Sequence, residues 1–138
     1  EIVEAYMREK YSTEAFQREL SDENNIYHII YTDDQPVGYS KVLFNAYHPD
    51  IEKPNVTKLE RLYVLKEFFG KQMGEKLVQF NIDLAKINGQ EGMWLHVWIE
   101  NVRAVAFYKK TGFEIIGAYD FHLSGNHYNP NHHMYLKF

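Results

Sequence analysis

A chain of 138 residues, 45% hydrophobic and 16% aromatic, is long enough to bury one core and too apolar to stay disordered. Zero cysteines exclude disulfides, thiolate metal sites and a cysteine nucleophile, and fit a reducing, cytoplasmic setting. A formal charge of −4 argues against nucleic acid as a partner, and no apolar run approaches the ~18 residues of a membrane span.

The segment 1–10 has a short helical pattern, with Ile2, Ala5 and Tyr6 on one side. Ser12 or Thr13 can cap a second helix, in which Phe16 and Leu20 stand one turn apart. Segments 26–32 and 37–44 are β-branched and aromatic, and Asp33, Asp34, Gln35 and Pro36 between them predict a hairpin. A loop punctuated by Pro49 and Pro54 leads to a strand over 56–65. Plain alternation puts Glu60, Leu62 and Val64 on one face of it and Leu59, Arg61, Tyr63 and Leu65 on the other. The spacing of Met73, Leu77, Phe80, Leu84 and Ile87 predicts a helix over 71–88 with those residues as its apolar stripe, and Gly89 is placed to end it.

Segment 92–99 reads as a strand, with Met93, Leu95, Val97 and Ile99 opposing Trp94, His96 and Trp98. Asn101 can cap a helix over 102–111 that Gly112 terminates. A strand over 113–119, a loop or long hairpin tip over 120–131 and a last strand over 133–138 complete the order. No linker or repeat interrupts it, so 1–138 is expected to be a single domain of α/β (α+β) class, with helices packed on a mixed sheet.

The segment 58–74, KLERLYVLKEFFGKQMG, is a strand, a glycine-bearing turn and a helix start. Free backbone N–H groups and a helix N-terminus then converge where Gly70 and Gly74 let a ligand approach, with the Lys71 charge beside them. An anion such as phosphate fits such a place; an ordinary strand–helix connection is the alternative. Asn101, Ala104 and Tyr108 fall at i, i+3 and i+7, hence on one helix face.

Combined with WIENVRAVAFYKKTGFEIIG over 98–117, this segment resembles the GCN5-related N-acetyltransferase (GNAT) superfamily. The element Asn-x-x-Ala-x-x-Phe-Tyr-x-x-x-Gly-Phe is met in full by Asn101, Ala104, Phe107, Tyr108, Gly112 and Phe113. The flavour is most similar to bacterial PaiA-type polyamine (spermidine/spermine) acetyltransferases. The resemblance covers about 26–138, and the family's first strand is expected to lie before Glu1. It implies an acyl-CoA N-acyltransferase fold: a mixed, mostly antiparallel central sheet with helices on both faces. Two loop positions depart from the family pattern: Phe69 stands where Arg or Gln is usual, and Gln72 where the middle Gly is usual. Gln72 is then expected to adopt helical geometry.

The resemblance implies transfer of an acetyl group from acetyl-coenzyme A to a primary amine, a polyamine being one candidate. The alternatives are a non-catalytic acyl-coenzyme A-binding regulatory module and a protein or peptide N-acetyltransferase. Leu62, Tyr63 and Val64 would offer backbone groups to the pantetheine arm. Phe69, Gly70, Lys71, Gln72, Met73, Gly74 and Glu75 would cradle the pyrophosphate. Asn101 would bond the cofactor arm, and Tyr108 would stand by the sulfur and protonate the leaving thiolate. Glu60 is the first candidate for the base, or else a carboxylate paired with Lys58 or Arg61; His96 is the second, or else packing between two tryptophans. Tyr27, Tyr31, Tyr39 and Tyr47 line an acceptor site or serve as sheet residues. His122, His127, His132 and His133 match no ligand spacing, so no metal is expected. A monomer or homodimer acting on a small amine, with neither nucleic acid nor membrane as partner, is the resulting expectation.

Overall fold

The structure, a computed structural model, describes residues 24–124 and 127–138, with side chains described outside 119–129. The expected helices of segments 1–10 and 12–20 lie outside the described residues. Asp33 and Asp34 take left-handed backbone angles, φ 50° and 65°, the twist that a two-residue hairpin turn requires. They join β1 (Asn25–Thr32) to β2 (Gln35–Leu43), so the turn is shorter than the four residues predicted, and Gln35 and Pro36 already belong to β2. β3 (Thr57–Val64), a 3-10 turn (Lys66–Phe68) and α1 (Met73–Ile87) follow. Then come β4 (Gly92–Trp98), α2 (Val102–Thr111), β5 (Glu114–Ser124) and β6 (His127–Lys137). The predicted loop over 120–131 is thus the end of a long β5–β6 hairpin, the second of the two expected forms.

The strand order is β1-β2-β3-β4-β6-β5, with β3 and β4 parallel and the other pairs antiparallel. This is the mixed, mostly antiparallel α/β sheet expected. Both described helices feed one core: Val78, Ile82 and Ala85 of α1 and Tyr108 of α2 pack with Val42, Leu59, Met93, Leu95 and Val97. They therefore lie on one face of the sheet, leaving a second face without a described helix. That second face carries a smaller cluster of Ile51, Val56 and Trp94, with the Trp94 indole N–H donating to the Ala46 carbonyl at 2.8 Å.

α1 turns a different face to the sheet from the one its spacing predicts. Leu77, Val78, Ile82 and Ala85 are buried, whereas Phe80 and Ile87 are 47% and 83% exposed. Asn81 decides the face. Its amide is fully buried and donates to Ser40 Oγ and to the Leu77 carbonyl, both at 2.9 Å, so a polar residue occupies the middle of the core stripe.

β3 and β4 pair at Thr57–Met93 and Lys58–Trp94 and then separate. The closed end is held by Gln90, whose Oε1 accepts from Thr57 Oγ1 at 2.9 Å and from the Asn45 N–H at 3.0 Å. Further along, Lys41 faces Arg61 and Val42 faces Leu59, which leaves Glu60 as an extra residue, a β-bulge. A bulge resets the alternation and increases local twist. Leu59 and Leu62 consequently both meet the helical core. Glu60 turns to the opposite face, toward Lys41 and Lys58, instead of sharing a face with Leu62 and Val64.

Candidate active site

The divergence of β3 from β4 opens a wedge in the sheet. A cavity of about 350 Å³ fills it, lined by Glu60, Arg61, Leu62 and Tyr63 from one strand and His96, Val97 and Trp98 from the other. Asn101, Ala104 and Tyr108 of the α2 segment close its helical side, and Tyr39 lines it from β2. Strand edges that no longer pair with each other leave backbone N–H and C=O groups along the wedge for an extended ligand to use. β2 holds β3 close at this point. A side chain on Gly38 would come within 2.5 Å of the Tyr63 carbonyl oxygen.

The wedge runs into a second cavity of about 520 Å³, and Leu62, Tyr63, Asn101, Ala104 and Tyr108 line both. Its far wall is the turn into α1: Phe69, Gly70, Gln72, Met73, Gly74 and Glu75. Among the described residues, the N–H groups of Gly70, Gln72, Met73, Gly74 and Glu75 have no backbone acceptor. They gather at the positive end of a 15-residue helix, which is suited to an anion. Gln72 does not take the helical geometry expected of it. It is the N-cap of α1 in a left-handed conformation, φ 62° and ψ 17°, a strained place for a side-chain-bearing residue. Its strain explains why a glycine suits that position.

Asn101 caps α2 as predicted, its side-chain oxygen accepting from the Ala104 N–H at 3.2 Å. Tyr108, 9% exposed, sits at the junction of the two cavities. Burial pushes its hydroxyl pKa up to about 12, so the group remains protonated across the neutral range. Glu60 is engaged by three cations. Lys41 Nζ lies at 2.9 Å, Arg61 Nη2 at 3.5 Å and Lys58 Nζ at 4.0 Å. Glu60 is thus paired with Lys58 and Arg61, as the alternative reading of it has it, and it also lines the wedge. The nearest partner, Lys41, was not foreseen, although a lysine inside the buried run of β2 signals a required acid partner.

His96 also lines the wedge and packs edge-to-face on Trp94, with ring centroids 5.2 Å apart, and on His133 at 4.3 Å. Burial, then the Lys58 charge, then His133 and His48 lower its pKa to about 4. His133 Nδ1 lies 2.7 Å from His48 Nε2, and His48 Nδ1 accepts the Asp50 N–H at 3.0 Å. The network thus assigns the proton of neutral His48 to Nε2, as donor to His133. The partner of His133 is thus His48, on the loop before β3, and not another of the late histidines. Although His48, His96 and His133 gather here, among the described residues no group of three His, Cys, Asp or Glu side chains is arranged to hold a metal ion.

Of the residues named from sequence as catalytic or cofactor-binding, all but Lys71 line these cavities. Lys71 lines neither, its Nζ resting 5.3 Å from the Phe68 ring centre. Tyr39 lines the wedge, whereas Tyr31 and Tyr47 are 58% and 72% exposed and, with Tyr27, line neither cavity. The side chains of His122 and His127 lie outside those described. Arg103, Phe68 and Phe107 line the second cavity without having been predicted.

The acetyltransferase (GNAT) family model matches residues 1–113. The chain belongs to the GNAT family. An uncharacterized N-acetyltransferase of Mycobacterium tuberculosis is 30% identical over 129 residues, 94% of this chain and 78% of the relative. A probable spermine N(1)-acetyltransferase of Bacillus subtilis subsp. natto is 29% identical over 67% of this chain and 61% of its own length. The PaiA N-acetyltransferase of Thermoplasma acidophilum, solved in complex with coenzyme A, superposes with a TM-score of 0.72 at 23% identity, over 99% of this chain and 78% of that one. The chain spans about half the length of other curated relatives that it matches, 48% of one and 54% of another. The wedge and the turn into α1 are thus set in a GNAT-type sheet. No described helix is long and apolar enough to cross a membrane.

Proposed function

We propose that this GNAT chain transfers an acetyl group from acetyl-coenzyme A to a primary amine. The observation that carries the reading is the continuity of the wedge with the N–H-lined turn through Leu62, Tyr63, Asn101, Ala104 and Tyr108. An extended arm fits along the β3 edge while a pyrophosphate rests at the start of α1. The coenzyme supplies an acyl group activated as a thioester.

The protein's part is to hold and to move protons. The edges of Leu62, Tyr63 and Val64 and the Asn101 segment hold the arm straight. The turn from Phe69 to Glu75 takes the phosphate charge, Lys71 contributing from outside the cavity. The amine enters as the free base from the Glu60 side, and its nitrogen bonds to the acetyl carbon as the carbon–sulfur bond breaks. Tyr108 offers its hydroxyl proton to the departing sulfur and recovers one from solvent. Glu60 takes the proton that the nitrogen releases, directly or through water, with Lys41 fixing its orientation.

A polyamine acceptor is supported by the likeness to the Bacillus subtilis subsp. natto protein. A second reading, an acceptor with one amino group such as a peptide N-terminus, is favoured by Glu60. Among the described residues it is the acidic side chain lining the wedge, and Lys41, Arg61 and Lys58 already engage it. Calorimetry with acetyl-coenzyme A tests the first step, and no binding rejects the proposal. Thiol release across a panel of spermine, spermidine and peptides tests the second and separates the acceptor classes. Binding without turnover on any amine returns the reading to a coenzyme-binding module.

A further inference from the structure

Arg103 stands in the first turn of α2, two residues after the capping Asn101. It lines the second cavity, and its Cζ lies 4.3 Å from the ring centre of Phe69, which lines the same cavity. Among the described residues Arg103 forms no ion pair, and the carboxylate of Glu75, on the same cavity, is not within bridging distance of it. An arginine with no acid partner among the described residues, a ring beneath it and five backbone N–H groups lining the same cavity describe a charge held ready for an anion. Phe69 is 47% exposed, a large ring left in the open on a loop. It has a use there as the face on which a guanidinium rests. A guanidinium resting on a ring is shielded on that side and keeps its N–H edges for two-point contact with phosphate oxygens.

We infer that Arg103, seated on Phe69, binds a phosphate of the coenzyme and so closes the cradle from the α2 side. The inference rests on the proposed use of acetyl-coenzyme A and adds to it a binding residue and its positioning partner. Two phosphates of the same coenzyme present this chemistry, the pyrophosphate and the ribose 3′-phosphate.

Calorimetry on the full chain with coenzyme A and with 3′-dephospho-coenzyme A tests the assignment. Arg103→Ala is expected to weaken coenzyme A binding by about tenfold to a hundredfold, the range of a charged hydrogen-bonded contact. Its affinity should also fall less steeply with added salt than that of the wild type. Arg103→Lys should recover only part of the loss, because one point charge replaces a planar fork. Phe69→Ala should weaken binding as well, and the double variant should be no weaker than Arg103→Ala alone. Both side chains are exposed, so thermal unfolding without ligand should be unchanged and serves as the folding control. A loss that persists with 3′-dephospho-coenzyme A assigns the pyrophosphate, and a loss that vanishes with it assigns the 3′-phosphate. Wild-type binding with an unchanged Arg103→Ala variant overturns this inference alone. No binding by the wild type overturns the proposed function, and this inference with it.

Discussion

Tyr108 and Gln72 show how much one residue's surroundings decide. On spacing alone a phenol on the helix face shared with Asn101 and Ala104 reads first as a core aromatic, and the full element from Asn101 to Phe113 turns the reading to chemistry. Burial at the junction of two cavities, with a pKa pushed up to about 12, makes it a hydroxyl that holds its proton across the neutral range. Tyr108→Phe is expected to lower turnover by about a hundredfold or more, the scale of a positioned proton donor, while acetyl-coenzyme A affinity stays near that of the wild type. Steady-state kinetics beside calorimetry make the comparison, and an unchanged turnover across pH removes Tyr108 from the chemistry. Gln72 carries a left-handed backbone at the entry to α1. Gln72→Gly should relieve strain of about 1–2 kcal/mol and give back part of it as chain entropy, a net gain of about 0.5–1 kcal/mol. Urea denaturation reads it, and a loss of stability would contradict the assignment.

At the scale of elements, the bulge at Glu60 and the edge between β3 and β4 make the site. Gly38 sets how close β2 can come to β3, since an added Cβ meets the Tyr63 carbonyl oxygen at 2.5 Å and Val64 Cα at 3.2 Å. Gly38→Ala is therefore expected to cost about 1–3 kcal/mol by overpacking and to weaken acetyl-coenzyme A binding by displacing the edge that receives it. Denaturant melts and calorimetry on the same variant would show both effects, and a tolerated alanine would argue against the tight β2–β3 approach. Much of this level was legible in the sequence. Asn101, Gly89 and Gly112 sit at the helix ends that their residue types signal, and α2 spans the predicted 102–111. What escaped was non-local. The bulge depends on the register against β2, which no count along β3 contains. The buried face of α1 turns on Asn81, whose partner Ser40 lies 41 residues away. Lys41 is intelligible only once β2 and β3 are paired, and His48 with His133 only once β6 lies against β4.

For the whole molecule, the second face of the sheet ties the loop before β3 to β4 and β6 through neutral histidines. His48, His96 and His133 all have pKa values lowered from the ordinary 6.5 first by burial, with Lys58 adding to each and Asp50 opposing at His48 and His133. The unfolded chain therefore takes up protons that the folded chain refuses. Stability present above pH 6.5 should be lost progressively as pH falls from there toward 4, where His96 at last protonates. Thermal melts between pH 7 and pH 4.5 should show a falling midpoint, and a flat profile would contradict the neutral network. In the proposed function the wedge and the turn into α1 hold one ligand between them. Hydrogen exchange with and without acetyl-coenzyme A measures this amide by amide. Slowed exchange is expected at Gly70 and from Gln72 to Glu75, together with Leu62, Tyr63 and Val64, on the same titration. Binding that leaves those amides unchanged, with protection elsewhere, would contradict it.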